Sequence, residues 1–133
     1  MRKLLLTTAL LVLLSSHSLA APWSKTDIAL QSITTVTLAA DWRQTRDIKN
    51  HPELQELNLL LGPHPSNEKI DMYMGGAIVG HALISHYLPD LVLLCGGSPA
   101  AAKLSRTIWQ ATWIGLETSA IANNYAMGIK VGF

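Results

Sequence analysis

Hydrophobic and polar positions divide the chain into long stretches of helical character, separated by short punctuated turns. Ser24 followed by Asp27 is a capping box, with Trp23 and Ile28 at the hydrophobic-staple positions around it, which predicts a helix start. No Gly or Pro interrupts the run to about Lys49, so this helix is expected to reach roughly 39 Å at 1.5 Å per residue. Its centre, Ile28 to Ala40, carries no formal charge but is rich in Thr, Ser and Gln. Such a segment is a weak membrane span alone and an acceptable one inside a bundle, where hydroxyls bond the preceding turn or a neighbouring helix. Thr34, Thr37, Asp41, Gln44 and Thr45 share one face at helical spacing. That face is either a solvated stripe or an inward polar stripe. In the second case Asp41 requires a partner such as Arg46, a His or an amide.

A short helix is expected next. Asn50 would cap it, Pro52 is tolerated in its first turn, and Leu54, Leu57, Leu60 and Leu61 would form its apolar face until Gly62-Pro63. His64-Pro65-Ser66 then reads as an extended turn, and Ser66 or Asn67 can cap a third helix running to Leu88 before Pro89. Leu91 to Leu94 would be a separate apolar stub. Within the third helix, Gly76 and Gly80 form a close-approach packing signal. Ser98-Pro99 opens a last helix that ends at Gly128, roughly 44 Å long, with Ala111, Gly115 and Ser119 as a second ladder of small residues. Trp109 and Trp113 are candidates for a membrane-interface belt or for ordinary core positions. Glu117 lies alone in an otherwise uncharged run from Thr107 to Ile129, and is either paired inside or solvated on an exposed face. The expected fold is all-α: a small antiparallel bundle of three long helices and one short one in a single domain over residues 21–133.

The first twenty residues have a different character. Arg2 and Lys3 precede an apolar segment, Leu4 to Leu14, and Ser18 and Ala20 stand at the −3 and −1 positions of a cleavage site. Residues 1–20 are therefore expected to be a secretory signal peptide, with an uncleaved anchor helix as the alternative. Ala21 follows the cut where lipoprotein processing would need Cys.

Composition narrows the function classes. Hydrophobic residues make up 49% of the chain and charged residues 14%, against roughly 25% charged in an average soluble domain. This points towards a lipid bilayer. A net charge of +1 without a basic stripe excludes a nucleic-acid footprint. The one cysteine, Cys95, excludes an intrachain disulfide and reads as a buried inert thiol in LVLLCGG. His81 and His86, five apart, diverge around a helix, and no zinc-type spacing is present, so no metal or cofactor is expected. No nucleophile motif stands out, and Ser85 beside His86 is not a dyad. If three helices span, Arg43, Arg46, Lys49, Lys69 and Lys130 fall on one side and Lys25, Lys103 and Arg106 on the other, a weak positive-inside bias.

The most distinctive stretch is Asp41 to Ser66. Asp41-Trp42, Gln44-Thr45-Arg46, Glu56, Asn58, Leu61-Gly62 and His64-Pro65-Ser66 resemble the motif DWxQTR…ExNPxLGxHPS of a family of small uncharacterised proteins from proteobacteria, their prophages and tailed phages. The late segment from Thr107 onward, with its Trp-Gln pair, Glu, Asn and Gly-Ile, is similar to that family's last helix. Leu59 departs from the pattern, which has proline there. The resemblance implies a signal-bearing, membrane-associated helical protein and no assigned activity.

Asp41, Gln44, Thr45, Arg46, Glu56, Asn58, His64, Glu117 and Asn123 are thus the candidate polar cluster. The expected protein is a small inner-membrane or envelope component, structural or interactive, with the bilayer and either a second copy or an envelope protein as partners. The alternative is a soluble periplasmic binding protein with a polar pocket near Asp41 and Glu56. An intramembrane hydrolase ranks third.

Overall fold

The computed structural model describes residues 22–131 apart from Leu57. Residues 1–20, expected to be a signal peptide, lie outside these residues. Three helices form the fold: α1 (Lys25–Asp47), α2 (Asn67–Leu94) and α3 (Pro99–Ala126). No strand occurs among the described residues. Each helix starts on a serine whose hydroxyl accepts a backbone N–H three residues on: Ser24 from Asp27, Ser66 from Lys69, and Ser98 from Ala101. Around Ser24 the capping box is reciprocal, because the Asp27 carboxylate accepts the Ser24 N–H. The expected staple does not form. Ile28 stays exposed, and Trp23 turns to α2, where its indole N–H donates to His86 Nδ1.

The two later helices stop in the same way. Gly96 and Gly128 take positive φ (85° and 90°), and the residue after each donates back to the helix: Gly97 N–H to Val92 O, and Ile129 N–H to Asn124 O. The second of these turns buries Ile129 completely.

Two elements differ from the sequence expectation. The short helix over Asn50 to Leu61 is not formed. A 3₁₀ turn, Ile48–Asn50, closes α1, and the described residues from 51 to 66 make turns. Asn58 is the reason. Its side chain accepts Leu60 N–H, its carbonyl accepts both Leu61 and Gly62 N–H, and Gly62 adopts φ 78°. Glu56 N–H meanwhile bonds Pro63 O, so the loop folds on itself. Of the leucines expected on an apolar face, Leu61 is buried while Leu60 points outward.

The other difference is at Pro89. Helix α2 passes through it to Leu94, where a break was expected. Proline removes the hydrogen bond that Ser85 O would accept. Arg106 of α3 supplies a replacement, its Nε–H donating to Ser85 O at 2.9 Å. Cys95, at the end of this extended helix, is exposed and not buried as expected.

The helices run up, down and up. Trp23 and Arg106 meet the C-terminal half of α2, whereas Trp42 and Arg46 meet Asp71 near its start. Helices α1 and α3 are therefore parallel, and both are antiparallel to α2. A small apolar cluster, Leu61, Ile70 and Met74 with Trp42 and Tyr73 against it, seals the loop end. Elsewhere the polarity is inverted. Among the described residues, buried polar and charged side chains outnumber buried hydrophobic ones, and Val36, Met72 and Leu94 are each at least two-thirds exposed. Helix α2 is long and apolar enough to cross a membrane.

Candidate functional site

The face that α1 presents inward is a column of polar side chains: Asp27, Thr34, Gln44 and Thr45 are buried, with Leu38 as its buried hydrophobic member. Thr34 satisfies its hydroxyl on Leu30 O, and Thr37 on Thr34 O. Helix α3 answers with Arg106 and Gln110, and α2 with His81 and Ser85, all four buried. Each pair is one helical turn apart and so shares a face.

At the end away from the loop the column is charged. The Arg106 guanidinium reaches Asp27 Oδ2 at 3.3 Å with both side chains almost fully buried, and it also lies 5.1 Å from the Trp23 ring centre. Asp27 Oδ2 further accepts the Ser24 N–H and hydroxyl, each at 2.8 Å. Gln110 Nε2 donates to Asp27 O and to Gln31 Oε1. One turn below, the His81 ring stacks on Trp109 (5.4 Å) and meets the edge of Trp113 (5.7 Å). The Trp109 indole N–H bonds His81 O. These tryptophans therefore line the inward histidine.

At the loop end the column is held by amides. Gln44, completely buried, donates to Ile121 O (3.3 Å) and Ile129 O (3.2 Å). Asn124 Nδ2 donates to Asp41 Oδ1 and to Gln44 Oε1. The partner of Asp41 is thus an amide, while Arg46 pairs with Asp71 at a half-exposed site, where Asp71 Oδ1 also accepts the Trp42 indole N–H at 2.8 Å. Glu117 lies two turns before Asn124 on α3, on the helix face that meets Asp41, and the Glu56 carboxylate acts on Asp41 from the loop. Glu117 Oε2 is buried without a hydrogen-bond partner in the protein.

The predicted cluster is accordingly brought together in part. Asp41 and Gln44 converge on Asn124, and Glu117 lies on the same face of α3. Thr45 is buried on the inward face of α1, and Asn58 shapes the loop. Asn123 is exposed, and its neighbour Asn124 does the bonding. His64 is exposed and lines a separate cavity of about 320 Å³ with Thr45, Ile48, Pro52 and Pro65. A second cavity of about 380 Å³ lies over Leu60, Leu61, Lys69, Met72 and Tyr73. Neither is lined by Asp41 or Glu56. Gly76, Ala111, Gly115 and Ser119 face outward, and a methyl group placed on Gly76, Gly80 or Gly115 would touch nothing within 4 Å. These small residues are not used for close helix approach within the chain.

Sequence reasoning missed the charged end. Asp27 was explained by capping and Arg106 by a terminal position. The signal was present in the spacing of Asp27, Gln31 and Thr34, which continues the polar stripe of α1 upward, and of Arg106 and Gln110 on α3.

The arrangement offers hydrogen bonds and buried charge, not an engaged nucleophile. Neither the Ser85 hydroxyl nor the His81 ring has a hydrogen-bond partner in the protein. Among the described residues no three carboxylate, imidazole or thiol groups lie within reach of a common metal ion. Comparison with protein-family models, curated proteins and solved structures finds no match for this chain.

Proposed function

We propose that the chain is an integral membrane protein of a bacterial envelope, held in the bilayer by all three helices, and that it acts through structure and interaction. The observation that carries this reading is the inverted polarity. A water-soluble bundle places its leucines inside and its charges outside. Here Arg106, Asp27, Gln44 and Gln110 are inside, and Ile33, Val36, Val79, Leu83, Ile108 and Leu116 are outside. The lengths agree: 23 residues in α1 and 28 each in α2 and α3 give about 34 to 42 Å, enough for the roughly 30 Å hydrocarbon layer.

Further support comes from the two ends. Trp23 and Tyr87 lie near one end, and Trp42, Tyr73 and Tyr125 near the other, as aromatic belts require. Arg106 is removed from the tally of flanking charges because it pairs inside the bundle. That leaves Lys25 and Lys103 at one end against Arg43, Arg46, Lys49, Lys69 and Lys130 at the other, a sharper asymmetry with the loop end on the cytoplasmic side.

In this reading the Asp41–Ser66 motif is a clamp. It ties α1 to α2 through Asp71 and to α3 through Asn124, and folds the loop over Leu61. Extraction of membranes with alkaline carbonate tests the reading: the protein stays in the pellet, and release into the supernatant would instead favour a peripheral or periplasmic protein.

A further inference from the structure

We propose that the bundle axis carries protons between the two faces of the membrane, with His81 as the central relay. The proposal rests on the membrane placement above. Its basis is where the unpartnered atoms lie. Asp27 Oδ1, Ser85 Oγ, Gln110 Oε1, His81 Nδ1, His81 Nε2 and Glu117 Oε2 are buried without a hydrogen-bond partner in the protein, and among the described residues Asn67 Oδ1 is the one such atom away from the axis. These groups form a row. Arg106 joins Asp27 to Ser85 O, Gln110 bonds Asp27 O, Ser85 is one turn from His81 on α2, and Trp109 joins His81 to α3. Glu117 follows Gln110 two turns on along α3, and Asp41 and Glu56 continue from it to the loop end.

A buried polar atom with no partner is costly, and most costly in hydrocarbon. A row of them persists where small polar molecules complete the bonding. Asp27 Oδ1, Gln110 Oε1 and Glu117 Oε2 accept, the Ser85 hydroxyl donates and accepts, and neutral imidazole offers one of each. Water fits that mixture. A metal cation does not, because no three ligating groups share a site among the described residues. A proton needs only carriers. It binds one ring nitrogen of His81, giving imidazolium, and leaves from the other, giving the opposite neutral tautomer. The stacked Trp109 face favours the cationic intermediate. Proton-binding groups flank the relay on both sides: Asp27, paired with Arg106, towards one membrane face, and the Glu117 and Asp41 carboxyls towards the other.

The test uses the full protein in phosphatidylcholine–phosphatidylglycerol liposomes containing a pH-sensitive dye, with a valinomycin-set potassium potential driving flux. Wild type is expected to move protons faster than protein-free liposomes. His81→Phe, which keeps a stacked ring, and Glu117→Gln, which keeps the shape, are each expected to lose that excess while circular dichroism reports an unchanged helix content. Outward-facing Met72→Leu keeps it. Wild-type flux equal to protein-free liposomes, in vesicles that retain the protein through a carbonate wash, overturns the relay and leaves the membrane placement standing. Protein washed off the vesicles overturns both. Folded His81→Phe with wild-type flux, or a sodium flux of equal size, also overturns the relay.

Discussion

The two ends of the polar column solve the same problem with different chemistry. At one end a buried ion pair, Asp27–Arg106, is surrounded by Trp23, Ser24, Ser85 O and Gln110. At the other, neutral amides carry the load: Gln44 and Asn124 bond carbonyls and one carboxylate, and the ion pair there, Arg46–Asp71, is pushed out to a half-exposed rim. A buried charge pair is all-or-nothing, since removal of one partner strands the other without solvent. Amide networks fail more gradually, and a rim pair is screened by water. The column should therefore be most fragile where it is charged.

The largest expected effect is at the charged end. Arg106→Met strands the Asp27 carboxylate and Ser85 O, and should cost about 3–5 kcal/mol in thermal unfolding measured in detergent. Adding Asp27→Asn, which can still accept from Ser24, should recover much of that loss. Without recovery the cost belongs to packing on Trp23 and not to stranded charge. At the amide end, Gln44→Leu leaves Ile121 O and Ile129 O without their donor, and should cost about 1–3 kcal/mol. Faster hydrogen exchange of the Ile129 amide would locate that effect in the terminal turn.

Within the loop that closes the amide end, Gly62→Ala forces a methyl group into a left-handed backbone, and should cost about 1–2 kcal/mol although the space around it is open. The smallest effect belongs to the rim. Asp71→Asn retains an acceptor for the Trp42 indole and removes only the half-exposed pair with Arg46, so less than about 1 kcal/mol is expected. A larger loss than that of Gln44→Leu would reverse the ranking of the rim pair and the buried amides at that end.

Much of this was legible in local chemistry. Ser24, Ser66 and Ser98 are the helix starts the sequence implies, and Gly128 is the stop. The stripe through Thr34, Asp41, Gln44 and Thr45 turned inward because its hydroxyls bond their own helix and its amides bond carbonyls of α3. What local pattern could not convey were partners from distant elements. Pro89 reads as a stop until Arg106, seventeen positions on, takes the carbonyl that proline frees. Leu54 to Leu61 reads as an amphipathic helix until Asn58 offers the backbone a tighter alternative. The Asn124 bond to Asp41 likewise depends on α1 and α3 running parallel, which no spacing within either helix specifies.

The central claim, that the bundle is dry and apolar outside and polar inside, is tested most directly by spin labels in the reconstituted protein. In a Cys95→Ser background, labels at Val36, Val79 and Ile108 are expected to relax strongly with lipid-soluble oxygen and weakly with a water-soluble nickel chelate. A label at Thr45 should respond weakly to both. Strong relaxation of the three outward labels by the nickel chelate would place those faces in water and contradict the account.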